Sequence, residues 1–205
     1  MGEAETVARI ARARIVAIVR APDASVAART AITLVDAGLD VIEVSFNTPD
    51  TPAAIAEIVR HRSAATVGAG TVVRADQARA ALAAGARFLV APGMDDGVDA
   101  VAREAGALYV PGVFTATEVM AALRRGRDVL KLFPAAALGP DGMRALLEPF
   151  PEVRPIPTGG VTPEAAPGWL TAGALAVGLG GALTRAGDPG AAAAAARSAV
   201  TTARP

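Results

Sequence analysis

The sequence predicts an α/β fold, a (β/α)8 TIM barrel with an extra N-terminal helix, and two observations support it. Eight short apolar runs recur at intervals of about 20–26 residues, and alanine-rich stretches with helical periodicity separate them. Regular alternation of this kind builds a parallel sheet, and eight βα units in 205 residues match a compact barrel. An open doubly wound sheet is the alternative. We expect residues 1–205 to form a single domain.

The predicted strands are mostly apolar, which is typical of strands buried on both faces of a parallel sheet. In chain order they are residues 14–20, 40–46, 65–70, 87–92, 107–112, 129–134, 153–160 and 174–181.

The predicted helices carry ordinary start and stop signals. The extra helix, roughly residues 3–12, would lie across the bottom of the barrel. Four of five intervening alanine-rich stretches end at glycine, the usual residue after a helix. Candidate N-caps are Ser25, Thr51, Asp76, Thr115 and Thr162.

Composition excludes several classes of protein. Acidic and basic residues number 20 each, and the absence of a basic stripe argues against nucleic-acid binding. No apolar run reaches the length of about 18 residues needed for a membrane span. The chain has no cysteine, and its acidic N-terminus lacks the apolar core of a secretory signal. We therefore expect a cytoplasmic protein that binds neither nucleic acid nor membrane.

Two charged residues lie in the middle of predicted strands, Glu43 in "DVIEVSF" and Lys131 in "VLKLF". Side chains alternate along a strand, so both point into the barrel if the Leu and Ile faces pack against the helices. Burial of an unpaired charge is costly, which indicates that these residues have a role. The simplest role for them is a structural ion pair between Glu43 and Lys131.

Lys131 is the only lysine in the chain, and every other basic side chain is an arginine. Arginine is the better partner for a structural ion pair, whereas a buried lysine can lose its proton and attack carbonyls. We therefore interpret Lys131 as a Schiff-base lysine. Glu43 would be the general acid/base that moves protons beside it.

Glycine pairs end the last two predicted strands, in "PTGGVTP" (157–163) and "GLGGAL" (178–183). In many barrels these two loops bind phosphate through backbone N–H groups, and glycine lets the backbone approach the anion closely. The two pairs together predict a phosphate site, although each alone is usually a turn.

Other polar residues are less informative. Arg20 at the end of the first strand either holds a carboxylate or is solvated. Thr71 is either a hydroxyl donor at the barrel mouth or a helix cap. "VGAGTV" lacks the third glycine of a dinucleotide-binding loop. His61, the only histidine, is predicted at the surface, and no ligand spacing predicts a metal site.

With these features in place, the sequence resembles the 2-keto-3-deoxy-6-phosphogluconate (KDPG) aldolases and their phosphogalactonate (KDPGal) relatives. The resemblance covers about residues 10–187. It rests on the segments "IVAIVR", "VIEVSFNTP", "VGAGTV", "FLVAPG", "YVPGVFTATEV", "LKLFPA", "PTGGVTP" and "GLGGAL".

The resemblance implies a class I aldolase that forms homotrimers. Such enzymes cleave a phosphorylated 2-keto-3-deoxy sugar acid to pyruvate and glyceraldehyde 3-phosphate, and some act on 4-hydroxy-2-oxoglutarate. No metal or organic cofactor is implied. The remaining alternatives are a phosphate-binding barrel isomerase or epimerase, and a non-catalytic sugar-phosphate binding barrel.

The resemblance also implies roles for individual residues. Lys131 forms the Schiff base, and Glu43 is the general acid/base. The residues implied to bind the substrate are Arg20, Thr71, Pro92, Phe133 and Thr158, and those implied to hold its phosphate are Gly159, Gly160, Gly180 and Gly181.

The sequence departs from the phosphogluconate enzymes at two positions. Those enzymes have an arginine four residues after the glutamate, where this chain has Asn47, as in the galactonate relatives. They also have a serine after the late double glycine, where this chain has Ala182. Arg20 would then take over the carboxylate. Thr158 in "PTGG" instead resembles the gluconate side, so the stereochemistry at C4 stays open.

Overall fold

The computed structural model describes residues 2–202 and has an α/β fold. Its strands are β1 (Ile15–Val19), β2 (Val41–Ser45), β3 (Thr66–Gly70), β4 (Phe88–Val90), β5 (Leu108–Val110), β6 (Gly112–Val113), β7 (Val129–Leu132), β8 (Arg154–Pro157) and β9 (Val177–Leu179). Its α-helices are α1 (Glu3–Ala13), α2 (Ala24–Asp36), α3 (Thr51–His61), α4 (Ala75–Ala83), α5 (Asp96–Glu104), α6 (Ala116–Arg124), α7 (Gly139–Leu147), α8 (Ala166–Thr171), α9 (Gly181–Thr184) and α10 (Pro189–Thr202). A 3₁₀ turn, Ala135–Ala137, precedes α7.

The strands form two parallel sheets. One is a curved six-stranded sheet in the order β5-β4-β3-β2-β1-β9, and the other has the order β6-β7-β8. In the larger sheet Glu43 lies opposite Gly68, and in the smaller one Lys131 lies opposite Ile156. The two charged residues therefore stand on different sheets.

Backbone hydrogen bonds also join residues that flank the strands at the borders of the two sheets. The N–H of Lys131 donates to the carbonyl of Pro111 at 2.9 Å, and that of Leu175 to the carbonyl of Pro155 at 2.9 Å. Thr158 also forms an isolated parallel bridge with Gly178. The fifth predicted strand is in fact two, β5 and β6, and they meet at Pro111, which has no N–H to donate to a ladder.

The predicted N-terminal helix is present as α1 and packs against the inner face of the strands. Val7 and Ile10 of α1 belong to an apolar cluster with inward-facing strand residues. Those residues are Val16, Ile18, Val41, Phe88, Val90, Leu108, Val110, Val129, Ile156 and Ala176. The Phe88 ring fills the space beside Gly68, where an added Cβ would lie 2.5 Å from the ring. Side chains thus fill the interior below Glu43 and Lys131.

The opposite faces of the strands pack against the helices. This outer layer contains Ile42 and Val44 of β2 and Leu132 of β7, together with many helical alanines. Small alanine side chains let the helices lie close to the sheet. The Leu and Ile faces of β2 and β7 are therefore the helix-facing ones, which leaves Glu43 and Lys131 on the inner face.

A buried arginine joins three segments at the amino ends of the strands. Arg127, just before β7, donates to Asp99 of α5 at 2.6 Å and to Glu3 of α1 at 3.1 Å. Its guanidinium carbon lies 5.9 Å from the centre of the Tyr109 ring. The network fixes α1 and α5 relative to β7.

Among residues 2–202, no helix combines the length and apolar character that crossing a bilayer requires.

Candidate active site

Lys131 and Glu43 converge on one small enclosed cavity. Lys131 is at the third position of β7 and Glu43 at the third of β2, and both are almost completely buried. Thr158 joins them, and the cavity has a volume of about 10 Å³, room for about one water molecule. Its other lining residues are apolar: Ile10, Val16, Phe88, Val90, Val110 and Ile156. The two charged groups therefore lie in a largely dry site.

The carboxylate of Glu43 fits because residue 70 is glycine. A Cβ added at Gly70 would lie 2.7 Å from Cγ of Glu43 and would overlap the carboxylate. The final residue of β3 thus makes room for the side chain of the neighbouring strand. No feature of the sequence alone identifies this fit.

Burial moves the pKa values of both groups toward their neutral forms. Desolvation lowers the pKa of Lys131, although the charge of Glu43 opposes the change and Arg20 adds to it. Desolvation raises the pKa of Glu43, against the charges of Lys131 and Arg20. A neutral amine is a nucleophile and a neutral carboxylic acid can donate a proton, so both shifts favour carbonyl chemistry.

The two groups form no direct ion pair in the part of the chain that the structure describes. No lysine nitrogen to carboxylate oxygen contact of 4.0 Å or less joins Lys131 and Glu43. Nζ of Lys131 instead lies 4.9 Å from the centre of the Phe133 ring. The structural ion pair that the sequence left open is therefore not what places these residues together.

A wider cleft of about 390 Å³ opens at the carboxyl ends of β1, β8 and β9. Arg20, Phe133 and Thr158 line it, together with both glycine loops. Thr158 belongs to both the inner cavity and this cleft, so the two are adjacent. All four glycines of the predicted phosphate site, Gly159, Gly160, Gly180 and Gly181, line the cleft.

The first glycine loop has a shape that only glycine adopts easily. Gly159 and Gly160 have φ values of +90° and +82°, in the left-handed region. Within residues 2–202, the N–H groups of Gly160 and Val161 donate to no acceptor. The loop therefore presents unused backbone donors at the cleft, an arrangement suited to an anion.

Thr71 adopts a strained conformation at the end of β3. Its φ is +56°, which is unusual for a β-branched residue. Its hydroxyl lies 2.9 Å from Oγ of Ser45, and Ser45 donates to Oδ1 of Asn47 at 3.0 Å. A hydrogen-bonded chain thus joins the loops after β2 and β3, and Thr71 is not simply a helix cap.

Two more predicted residues occupy different surroundings. Arg20 is exposed at the end of β1, and its charge reaches both Glu43 and Lys131. Pro92 follows β4 and is exposed, with its carbonyl packed against Gly112, but it lines neither the cavity nor the cleft.

The structure also places at the site residues that sequence reasoning missed. Ser45 links Thr71 to Asn47, and Arg185 lines the cleft beside the second glycine loop. The signal for Ser45 was its position on the same face of β2 as Glu43. Arg185 gave no signal, because 19 of the 20 basic residues are arginines and no spacing distinguishes this one.

A second sizeable pocket, of about 270 Å³, lies at the other ends of the strands. It is lined by the first residues of β1, β2 and β3 and by four arginines, Arg9, Arg12, Arg14 and Arg197. It is separate from Lys131. In the described range of residues, no group of three or more histidines and carboxylates is arranged to hold a metal ion.

Comparison with known proteins gives a consistent result. The family model for "KDPG and KHG aldolase" matches residues 6–193. The 2-dehydro-3-deoxy-6-phosphogalactonate aldolase of Escherichia coli is 37% identical over 178 residues, which cover 85% of this chain and 86% of that protein.

Solved structures agree with this match. The KDPG aldolase of Zymomonas mobilis, solved with 3-phosphoglycerate, has a TM-score of 0.85 and 32% identity over 97% of this chain and 96% of that one. The KDPG aldolase of Legionella pneumophila, solved with pyruvate captured as a covalent carbinolamine, has a TM-score of 0.83 and 26% identity over 98% of each chain.

Proposed function

The chain belongs to the KDPG and KHG aldolase family, and from this we propose how its residues carry out the reaction. It is a class I aldolase that cleaves 2-dehydro-3-deoxy-6-phosphogluconate, or the galactonate epimer, to pyruvate and D-glyceraldehyde 3-phosphate. The observation that carries the mechanism is the convergence of a buried Lys131 and a buried Glu43 on one cavity beneath an anion-suited cleft.

The reaction begins at Lys131. Its neutral amine adds to the C2 ketone to give a carbinolamine, and Glu43 supplies the proton with which the hydroxyl leaves as water. The product is a protonated imine. Burial supports the first step because it lowers the pKa of Lys131 and so raises the fraction of neutral amine.

Carbon–carbon cleavage uses the imine as an electron sink. Glu43, now a carboxylate, takes the proton of the C4 hydroxyl, the C3–C4 bond breaks, and its electron pair forms an enamine on Lys131. Glyceraldehyde 3-phosphate leaves as the aldehyde. Protonation of the enamine at C3 then gives the pyruvate imine, which water hydrolyses to pyruvate and free Lys131.

Arg20 and Thr71 are the residues we assign to the substrate carboxylate. The charge of Arg20 influences both Glu43 and Lys131, which supports a position beside the reacting centre. Asn47, where the gluconate enzymes have arginine, is exposed and hydrogen-bonds to Ser45. The strained Thr71 backbone holds its hydroxyl at the end of β3.

Thr158 and Phe133 border the cleft, where they would contact the carbon chain of the substrate. Pro92 lies outside the cleft, and its assignment rests on the resemblance alone.

The phosphate is assigned to the two glycine loops. The free N–H groups after Thr158 support this assignment, as does the close approach that Gly159, Gly160, Gly180 and Gly181 allow. The phosphorylated substrate carries several negative charges and cannot cross a bilayer unaided, which supports a cytoplasmic place of work.

We also propose that the two sheets form one eight-stranded barrel in which β5 and β6 count as one strand. The bonds from Lys131 to Pro111 and from Leu175 to Pro155 support closure at the two borders. The subunits would assemble as a homotrimer, and the exposed apolar side chains of Phe114 and Met120 support an interface.

Trapping of the imine tests the mechanism. We expect pyruvate with sodium borohydride to add one reduced adduct to Lys131, detected by intact mass and peptide mapping. Lys131→Arg should give no adduct and should lose at least about 10³-fold in turnover, because arginine cannot supply a neutral amine. Substantial turnover in that variant, with the native circular dichroism spectrum, contradicts the assignment.

A further inference from the structure

We propose that Arg185 binds the substrate's phosphate and makes the enzyme selective for phosphorylated over unphosphorylated keto-sugar acids. The inference rests on the proposed function, because it assigns a residue to one end of the same substrate. The inference goes beyond the proposed function because it adds a charged side chain to the phosphate site, which was assigned above to backbone groups alone.

The position of Arg185 is set by the second glycine loop. Arg185 directly follows the short helix α9, and its guanidinium lies over Gly181. A Cβ at residue 181 would lie 2.6 Å from Cζ of Arg185, so a side chain there would displace the guanidinium. Leu183 of α9 is fully buried and anchors the turn from which Arg185 extends. Gly181 therefore has a second use, which is to make room for this arginine.

The side chain of Arg185 has no hydrogen-bonding or ionic partner within residues 2–202. Its guanidinium makes no hydrogen bond or ion pair with these residues, although its backbone N–H donates to the carbonyl of Gly181, whereas other arginines, such as Arg62 and Arg154, are paired with aspartates. Among residues 2–202, no Asp or Glu lines the cleft, and its charged lining residues are Arg20 and Arg185. An unpaired guanidinium in an acid-free cleft attracts anions, and its planar fork matches two phosphate oxygens.

The two arginines of the cleft have different electrostatic surroundings. Arg20 shifts the pKa of both Glu43 and Lys131, whereas Arg185 contributes to neither shift. Arg20 is thus near the reacting centre, and Arg185 is farther from it, beside the glycine loops. The two anionic groups of the substrate are arranged in the same way. Its carboxylate adjoins the reacting ketone, and its phosphate is at the far end of the carbon chain.

Kinetics on paired substrates test the proposal. Arg185→Gln should lower kcat/KM for the phosphorylated sugar acid by about 10- to 100-fold, mainly through KM, which is the effect of losing a charge-assisted hydrogen-bonded pair. Turnover of the unphosphorylated analogue, 2-dehydro-3-deoxygluconate, should change by less than about 2-fold. Arg185→Lys should recover part of the loss. Arg79→Gln, the same change at an exposed arginine of α4, is the matched control and should behave as wild type.

A binding experiment separates failure of this inference from failure of the proposed function. Inorganic phosphate should bind the wild-type protein in calorimetry and bind Arg185→Gln at least about 10-fold more weakly. Equal losses on both substrates, or unchanged phosphate binding in Arg185→Gln, overturn the role of Arg185 while pyruvate trapping at Lys131 still stands. Absence of trapping and of pyruvate release in the wild type overturns the aldolase mechanism, and phosphate binding then decides the role of Arg185 alone.

Discussion

A charged amine in a dry cavity works against the stability of the fold. Desolvation lowers the pKa of Lys131 in the folded protein, whereas in the unfolded chain the amine keeps its ordinary pKa near 10.5. The unfolded state therefore binds more protons between the lowered value and 10.5. Stability rises with pH across that window, and below it the full cost of burying the charge is present.

Replacing the amine by an apolar side chain of similar length should remove this cost. We expect Lys131→Met to be inactive but more stable than wild type at pH 7, by about 0.5–2 kcal/mol, the usual size of a stabilising substitution. The gain should shrink as the pH rises toward 10. Urea unfolding at pH 7 and pH 10 measures both effects, and a variant that is less stable at pH 7 contradicts the account.

For individual residues, the sequence predicted the chemical roles better than it predicted the contacts between side chains. Lys131 stood out because a chain that otherwise uses only arginine retains one lysine in an apolar run. The fit of Glu43 against Gly70 and the placement of Arg185 over Gly181 depend on distances between segments far apart in the chain. No local pattern reports such distances.

Among the ion pairs within residues 2–202, the one between Arg127 and Asp99 is the most buried. Burial raises the pKa of Asp99, but hydrogen bonds from Arg127 and Arg103 outweigh it and hold that pKa below its usual value. A lowered carboxyl pKa adds stability at pH values above the unfolded-state pKa, near 3.8. That stability is lost as the pH falls through the folded-state value.

Loss of one partner from this network should be costly. We expect Asp99→Asn to destabilise the protein by about 3–5 kcal/mol at pH 7, because Arg127 would stay buried without its closest counter-charge. The difference in unfolding free energy between wild type and Asp99→Asn should become smaller in acid. Urea unfolding at pH 7 and near pH 2.5 measures it, with Asp141→Asn as the control, since the Asp141–Arg144 pair is exposed. Similar small effects for both variants would show that the network is not structural.

The sequence predicted which segments form helices and strands, but it did not always predict where they begin and end. Buried apolar runs and glycine stops located the strands and most helices, including α1, because those patterns follow from local geometry. The break at Pro111 and the four-residue α9 were missed. Both arise where the backbone passes from one strand to a neighbour, so their cause is tertiary.

For the whole molecule, exposed apolar side chains point to assembly. Met120 lies on the face of α6 opposite the buried Val119 and Ala122, and Phe114 precedes the same helix. Clustered apolar side chains at a surface mark sites of protein association, and these two support the proposed homotrimer.

The proposed homotrimer can be measured directly. We expect light scattering after size exclusion to give three times the chain mass for the wild type. Met120→Glu should shift the mass toward one chain, since a charge would be buried at the interface. Ala145→Glu, at an exposed position of α7, should stay trimeric. A monomeric wild type rules out the trimer.

The overall α/β architecture followed from the count and spacing of apolar runs, and the comparisons place it among the KDPG aldolases. The proposed closure into one barrel depends on a few hydrogen bonds at the two sheet borders, which strand counting does not reveal. Quaternary structure depends on surface side chains that composition alone does not rank.

The packing of α1 beneath the strands has a consequence for the order of catalytic events. Val7 and Ile10 fill the interior below Lys131, and on the other side Thr158 joins the cavity of Lys131 to the cleft. When two products leave by the same opening, the one nearer the opening leaves first. In the proposed mechanism the aldehyde fragment departs first, while pyruvate, still joined to Lys131 as the imine, departs second. The covalent bond to Lys131 thus makes product release sequential, and the packing of α1 directs both products toward the cleft.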